Sequence, residues 1–478
     1  MIHQKAVQKA LLNHFNYLPT KDQDKAISHL SAFELSKKPS PVYILKGYAG
    51  TGKTSLISAY VSFLADSKKQ FVLLAPTGRA AKVLAQYTGF QASTIHRRIY
   101  QIFNTKEGAH RMLLAPNQSK NTVFIIDEAS MINDESRQNE SFFSTRSLLD
   151  DLMAYVFSSS NNKMVLVGDT AQLPPVGLQL SPALEIDYIH SAFSVTAYDF
   201  EMREVMRQSE DSGILFSATR LREKITMQNS APPFFETSRF KSDIVRINDG
   251  YEFEELLQQT FMNSDAEDAV LVCRSNKRAN LFNQQIREHI LQRESMLEGG
   301  DALMVVKNNY YWLDADSKAG FIANGDLLSV LRVLKTEEMY GFHFADVDIR
   351  LLDYPEEKAL SVKLLLDTLT ADGPGLSREN SNELFARIEE DYFDIPSKSG
   401  RMNKMKKNPY LNALHVKFGY ALTCHKTQGG QWPIVIVDQG YLNDEMVNTE
   451  YLRWLYTALT RSTKKLYLIN FNDSFFEE

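Results

Sequence analysis

The stretch Gly47-Tyr48-Ala49-Gly50-Thr51-Gly52-Lys53-Thr54 decides the fold. The apolar run Val42-Tyr43-Ile44-Leu45 leads into it, and Ser55-Leu56-Ile57-Ser58-Ala59-Tyr60 leads out. These flanks predict a strand, a glycine loop and a helix in that order, which is the setting a phosphate-binding P-loop requires. Gly47, Gly50 and Gly52 let the backbone turn its N–H groups inward onto phosphate oxygens. The helix that starts there adds its positive N-terminal end. Lys53 can reach the β- and γ-phosphates, and the Thr54 hydroxyl can ligate Mg²⁺. The sequence therefore specifies a nucleoside triphosphate site.

Working outward, Thr122-Val123-Phe124-Ile125-Ile126 reads as a buried strand that ends in Asp127-Glu128. Two carboxylates at a strand end are costly unless solvated or serving a cation. Beside a P-loop, Asp127 is expected to hold Mg²⁺ through water and Glu128 to orient and deprotonate the attacking water. The strand Phe71 to Ala75 ends in Pro76-Thr77-Gly78-Arg79, and polar glycine turns at strand carboxyl ends are where open α/β sheets bind ligands. Lys163 to Val167 ends in Gly168-Asp169-Thr170-Ala171-Gln172, where Gln172 is placed to sense the γ-phosphate. Upstream, Thr20 is an expected N-cap for the helix carrying Gln23, which reads either as a surface amide or as one that pairs with an adenine edge. Thr94 and His96 read as a helix cap and its neighbour, and residues 104–120 as a polar, irregular excursion. Glu201 to Gln208 is expected to be helical, with Arg203 and Arg207 either salt-bridged on a solvated face or, for Arg207, aimed at the nucleotide.

A second strand–turn–helix unit begins at Ala269-Val270-Leu271-Val272-Cys273, and strands resume at Ile434 to Asp438 and Leu466 to Ile469. Between them, residues 301–355 change to short β-rich segments with asparagine and glycine turns, as a small barrel would. Residues 370–410 are polar. Their basic run Lys398, Arg401, Lys404, Lys406 and Lys407 reads as a solvated loop or as phosphate contacts. At 478 residues the chain needs two to four domains. Its 23% charged and 44% hydrophobic residues describe a globular protein, and two cysteines, without metal-ligand spacing, fit a cytoplasmic setting. No apolar run approaches a membrane span. A net charge of -6 excludes a uniformly basic coat but not a basic groove.

In order and over almost its whole length, the chain resembles superfamily 1 helicases of the 5′-to-3′ branch, the Dda-like and RecD-like DNA helicases. The motifs that carry the resemblance are Leu18 to Gln23, Gly47 to Thr54, Ala75 to Ala81 with Thr94-Ile95-His96, Asp127-Glu128, and Gly168-Asp169 with Gln172 to Val176. Val205 to Gln208, His425-Lys426-Thr427-Gln428-Gly429 and Tyr456 to Arg461 complete them. The stretch Gly430-Gln431-Trp432-Pro433 departs from the pattern, where relatives often place Thr or Ser. The resemblance implies an α/β fold of two RecA-like, P-loop-type parallel sheets in tandem, with small inserted subdomains that include an SH3-like barrel. The implied divisions are 1–215, with an insertion at about 97–120, then 216–300 with 411–478, and an inserted domain over 301–410.

What the resemblance further implies is an ATP- and Mg²⁺-dependent DNA helicase, a monomeric motor that translocates on single-stranded DNA and acts at duplex junctions. ATP would be bound by Gln23, Gly47, Ala49, Gly50, Thr51, Gly52, Lys53, Thr54, Ser55, Gln428 and Gly429, and the metal by Thr54 and Asp127. Lys53, Asp127, Glu128 and Gln172, with the fingers Arg207 and Arg461, would carry the chemistry. Thr77, Gly78, Arg79, Thr94 and His96 would hold the strand on one side, and Asn276, His425, Lys426 and Thr427 on the other. An RNA or RNA/DNA helicase with the same motor, or a non-motor nucleic-acid-stimulated ATPase, are the alternatives. The blocks at 425–429 and 456–461 count against the last.

Overall fold

The computed structural model describes residues 2–15, 17–104, 110–134, 147–205, 212–229, 231–262, 267–313, 317, 319, 321–354, 356–373 and 375–476. Among the described residues, eight strands belong to the first half: β1 (Pro41–Gly47), β2 (Gln70–Ala75), β3 (Ala92–Thr94), β4 (Tyr100–Asn104), β5 (His110–Leu114), β6 (Thr122–Ile126), β7 (Lys163–Gly168) and β8 (Thr196–Met202). Six form one parallel sheet in the order β3-β2-β6-β7-β1-β8. β1 is buried on both faces. Tyr43 and Leu45 pack under helix Lys53–Asp66, while Val42 and Ile44 pack on the opposite side with Leu149 and Leu152. Its unbroken apolar sequence follows from that two-sided burial.

The segment Glu201 to Gln208 departs from the expected helix. Glu201 and Met202 end β8, which pairs with β1 as far as Gly47↔Met202, and residues 206–211 lie outside the described residues. The alternation Tyr198, Phe200, Met202 against Asp199 and Glu201 suits this edge strand. Of residues 104–120, expected to be irregular, His110–Leu114 forms β5, which pairs antiparallel with β4.

The second sheet takes β9 (Ile244–Arg246), β10 (Ala269–Cys273), β16 (Ala421–Thr423), β17 (Trp432–Asp438) and β18 (Ser462–Ile469), in the parallel order β16-β10-β17-β18-β9. Inserted between its strands, β11 (Ala302–Val305), β12 (Leu327–Met339), β13 (Phe342–Leu351), β14 (Leu360–Leu365) and β15 (Leu414–Phe418) close a five-stranded barrel. Its last strand lies past residue 410, where the insertion was expected to end. The polar segment 370–410 is not a loop. Helices Arg378–Glu390 and Lys398–Met405 pack Leu384, Ile388 and Met405 against Phe342 and Phe344 on the β12–β13 hairpin. The core of the second sheet also takes in Tyr48, Ala171 and Leu173 from loops of the first, so the two sheets share packed apolar surface. Among the described residues no helix is long and apolar enough to cross a membrane.

Candidate nucleotide site and nucleic-acid interface

The glycine loop leaves β1 and closes with Gly50 and Gly52 at φ +77° and +85°, angles that a side chain would strain. A Cβ on Gly47 would lie 2.9 Å from Thr51 Oγ1 and 3.1 Å from Lys53 Cγ, so the loop can wrap tightly only without one. Lys53 Nζ donates to the carbonyls of Gly47 (2.6 Å) and Tyr48 (3.0 Å) and lies 3.8 Å from Asp169 Oδ2. Gln23 is buried. Its Nε2 donates to Thr51 O (3.0 Å) and its Oε1 accepts from Thr20 N (2.9 Å) within a capping box. Both ends of the amide are thus engaged in tying the helix start to the loop.

Asp127 and Glu128 stand at the carboxyl end of β6. Asp127 accepts Tyr87 Oη–H (2.6 Å) and the Glu128 N–H (2.9 Å). Glu128 is held at φ +51°, a left-handed angle that costs a non-glycine residue about 1–3 kcal/mol and that clusters at functional sites. Burial raises the Asp127 carboxyl above its ordinary range, against the hydrogen bonds of Tyr87 and the Glu128 backbone and the charge of Lys53. Burial also raises Glu128, with Arg461 the leading opposing influence, followed by Lys53. A carboxylate with raised affinity for a proton suits a base that must accept one from water.

The second sheet meets this site through the segment after β17. Tyr456 Oη donates to Asp169 Oδ2 (2.7 Å) and accepts the Ala49 N–H of the glycine loop (2.8 Å). Leu173, one residue after Gln172, has its N–H bound by Thr457 Oγ1 (2.8 Å) and its carbonyl by Gln428 Nε2 (2.6 Å). Gln172 Oε1 is buried and has no hydrogen-bond partner among the described residues, a cost that only a donor, such as the hydrogen of a water, would relieve. Arg461 is 3% exposed and donates to the carbonyls of Thr457 (3.0 Å) and Gly430 (3.2 Å) and to Thr460 Oγ1 (3.2 Å). Arg207 lies outside the described residues; Val205 Cγ1, two residues before it, is 3.1 Å from where a Cβ on Gly50 would sit. The Thr54 hydroxyl and the Asp127 carboxylate are hard oxygen donors of the kind Mg²⁺ takes alongside phosphate oxygens.

Of the residues expected on a nucleic-acid track, four are turned inward. Arg79 is 8% exposed, with its guanidinium 3.9 Å over the Trp432 ring and Nη2 donating to Gln431 O (2.8 Å). The departure Gly430-Gln431-Trp432 is thus a clasp for Arg79 between the sheets. Gly78 is covered by Asp326, whose Oδ1 would be 2.3 Å from a Cβ there. Thr94 is buried and its Oγ1 accepts the Arg97 N–H, and Thr427 is fully buried with its hydroxyl on Cys424 O (2.8 Å). Thr77 caps helix Gly78–Thr88 and touches the space beside Gly429, while His96, Asn276, His425 and Lys426 keep solvent access. Asp169, Tyr456, Thr457 and Trp432 take part in these contacts although sequence reading gave them no individual role. Asp169, Tyr456 and Thr457 lie inside recognised motifs, which is the signal that could have found them.

The chain is similar to known proteins in both of its halves. Residues 20–224 match the AAA domain family, and residues 418–469 match the UvrD-like helicase C-terminal domain family. An uncharacterised protein, R530, of Acanthamoeba polyphaga mimivirus is 24% identical over 90% of this chain and 96% of its own length. The ATP-dependent RecD2 DNA helicase of Deinococcus radiodurans is 24% identical over 89% of this chain, and the chain spans 46% of it. The ATP-dependent DNA helicase dda of Enterobacteria phage T4 is 23% identical over 61% of this chain and 62% of its own. A solved Pif1 helicase from Bacteroides, in complex with ADP-AlF3 and ssDNA, aligns over 97% of this chain and 95% of that one, at 14% identity and a TM-score of 0.48. With its P-loop sheet, its second parallel sheet and both sets of motifs in order, the chain is similar to the superfamily 1 helicases, to the Dda-like and RecD-like enzymes among them.

Proposed function

We propose that this protein is an ATP-dependent DNA helicase that moves 5′-to-3′ along single-stranded DNA as a monomeric motor and separates strands at duplex junctions. The observation that carries this reading is the wiring of the glycine loop to the second sheet. Tyr456 bonds both Ala49 and Asp169, and Thr457 and Gln428 hold the two backbone groups of Leu173. A change at the phosphates moves these groups, and with them the second sheet.

In the proposed mechanism the glycine loop and Lys53 bind the triphosphate, with Thr54 and Asp127 holding Mg²⁺, which supplies charge neutralisation at the phosphates. Glu128 takes the proton of the attacking water. Gln172 reports the γ-phosphate to Leu173 and so to Gln428 and Thr457. Arg461, with Arg207, offsets charge that develops as the γ-phosphoryl group leaves; an arginine in that role is worth roughly 10³–10⁵ in rate. Loss of the γ-phosphate loosens the cleft, and the grips on either side shift relative to each other. Those grips are Thr77 and His96 on the first sheet, and Asn276, His425 and Lys426 on the second. The working units are residues 1–215, residues 216–300 with 419–478, and the barrel insertion, which takes in β15. Strand displacement on 5′-tailed and 3′-tailed DNA and RNA duplexes tests the reading. Unwinding of 5′-tailed DNA is expected, and unwinding confined to 3′-tailed or RNA substrates would overturn it.

A further inference from the structure

Helix Gly78–Thr88 runs from the seam between the sheets to the carboxylate corner of the nucleotide site, a span of about 15 Å from Thr77 to Tyr87. Its first half is held from outside the first sheet. Arg79 stacks on the Trp432 ring and donates to Gln431 O (2.8 Å). Lys82 Nζ donates to Glu267 Oε1 (2.6 Å), two residues before β10, and to Leu352 O (3.0 Å), one residue after β13. Its last turn is held from within. Tyr87 Oη donates to Asp127 Oδ2 (2.6 Å), and the Tyr87 carbonyl accepts Ser58 Oγ–H (3.0 Å). Ser58 lies four residues after Thr54 on helix Lys53–Asp66, so the two share a face. Tyr87 therefore touches Asp127 itself and the helix that carries Thr54, the two oxygen donors expected to hold Mg²⁺.

Both oxygens of Asp127 are oriented. Oδ1 accepts the Glu128 N–H (2.9 Å) and Oδ2 accepts the Tyr87 hydroxyl, which fixes the carboxylate about its own axis. Each oxygen can still accept from a second partner. Mg²⁺ demands near-ideal octahedral geometry, and a donor behind a ligating carboxylate is what sets its orientation. Tyr87 belongs to none of the motifs; the one at the start of its helix ends at Ala81. Resting on the motor reading above, we infer that Tyr87 is a positioning residue for the metal site: it sets the Asp127 carboxylate for Mg²⁺ and ties that setting to the helix whose start lies on the strand track. A strand that engages Thr77, or a shift of the second sheet against Arg79 and Lys82, reaches Asp127 through this one helix. By linkage, the strand tightens Mg²⁺ binding by the same factor by which Mg²⁺ tightens binding of the strand.

Two variants of the full chain test this. Tyr87→Phe removes only the hydroxyl, and Tyr87→Leu removes the ring as well. Affinity for a fluorescent, non-hydrolysable ATP analogue is measured across a range of Mg²⁺ concentrations, with and without oligo-dT. Without Mg²⁺ the variants are expected to bind the analogue as wild type does. The Mg²⁺ concentration at half-saturation is expected to rise about tenfold in both, the low end of what losing such a partner costs a metal site. In wild type oligo-dT is expected to lower that concentration about fivefold, and in both variants to lower it far less. A half-saturation point unchanged in Tyr87→Phe overturns the assignment whatever the melting temperature does, because a residue that only packs changes stability and leaves the metal alone. A rise confined to Tyr87→Leu belongs to the ring and overturns the role of the hydroxyl. A rise in both variants with the full oligo-dT response retained upholds the metal role and overturns the link to the strand. Should Tyr87→Leu not fold, Tyr87→Phe decides alone. If oligo-dT leaves wild type unchanged, the motor reading fails, and the Mg²⁺ shift measured without a strand still judges Tyr87.

Discussion

The Tyr456 hydroxyl donates to Asp169 Oδ2 at 2.7 Å, joining the second sheet to a carboxylate that stands 3.8 Å from Lys53 Nζ. Burial and the neighbouring Asp169 push the Tyr456 hydroxyl far above its ordinary range, so it stays a donor throughout the working pH range. A group that bonds the glycine loop, the coupling carboxylate and its own sheet at once is well placed to transmit nucleotide state.

Tyr456→Phe keeps the ring and removes only that link. It leaves a buried Asp169 oxygen and the Ala49 N–H each short of a partner, at a cost of about 1–3 kcal/mol per group. The expected outcome is a lower melting temperature with ATPase reduced about tenfold or more, read by calorimetry and by phosphate release. Full stimulation by oligo-dT in this variant would remove Tyr456 from the coupling route.

Arg461→Ala is expected to lower ATPase by orders of magnitude, since it removes charge stabilisation made only as the phosphoryl group leaves. The structure adds a second consequence. Arg461 is buried and bonds two backbone carbonyls, Thr457 and Gly430, so the variant should also melt earlier. Hydrolysis within a few-fold of wild type, with the melting shift present, would make Arg461 a structural residue.

The motif glycine Gly78 is tied to the barrel by contact. A Cβ there would lie 2.3 Å from Asp326 Oδ1, a buried oxygen with no hydrogen-bond partner among the described residues. Gly78→Ala should cost about 1–3 kcal/mol by overpacking. Combining it with Asp326→Ala should recover most of that loss, because the clash is with that one side chain. Additive losses in the double variant would place the strain elsewhere.

Asp326 also predicts a pH dependence. Burial raises its carboxyl well above the ordinary value of 3.8, with Asp353 adding repulsion. The folded state then binds the proton more tightly than the unfolded one. Its contribution to stability is whole below 3.8 and drains as the pH climbs above that value. Asp326→Asn should flatten this decline and gain relative stability at neutral pH, as seen in melting curves taken at several pH values. An identical pH profile in the two proteins would refute the buried-acid assignment.

What was legible in the sequence was local. The glycine loop, the Asp127-Glu128 strand end and the Tyr456–Arg461 block each announce themselves within about ten residues, because their chemistry needs neighbours at fixed spacing. Relations between distant residues were not legible. Nothing in Arg79 tells that Trp432 will stack on it, since that contact needs the two sheets to face each other. Arg203 and Glu204 looked like part of a helix from their charge spacing, but β8 ends at Met202 and the N–H groups of both residues go to Asp22 Oδ2 instead. The basic run at 398–407 carried the same ambiguity. Folding engages Arg401 with Glu389 and buries Lys406, which leaves Lys398, Lys404 and Lys407 exposed.

The central claim is that hydrolysis in the cleft answers to a strand held across both sheets, with Glu128 as the base. Oligo-dT-stimulated ATP hydrolysis by wild type and Glu128→Gln, with ATP binding measured in parallel, tests it most directly. The account predicts strong stimulation in wild type. In Glu128→Gln it predicts retained ATP binding and turnover lost by at least about a hundredfold, because an amide cannot take the proton. Stimulated turnover that survives in Glu128→Gln, or wild-type hydrolysis that ignores the strand, would contradict it.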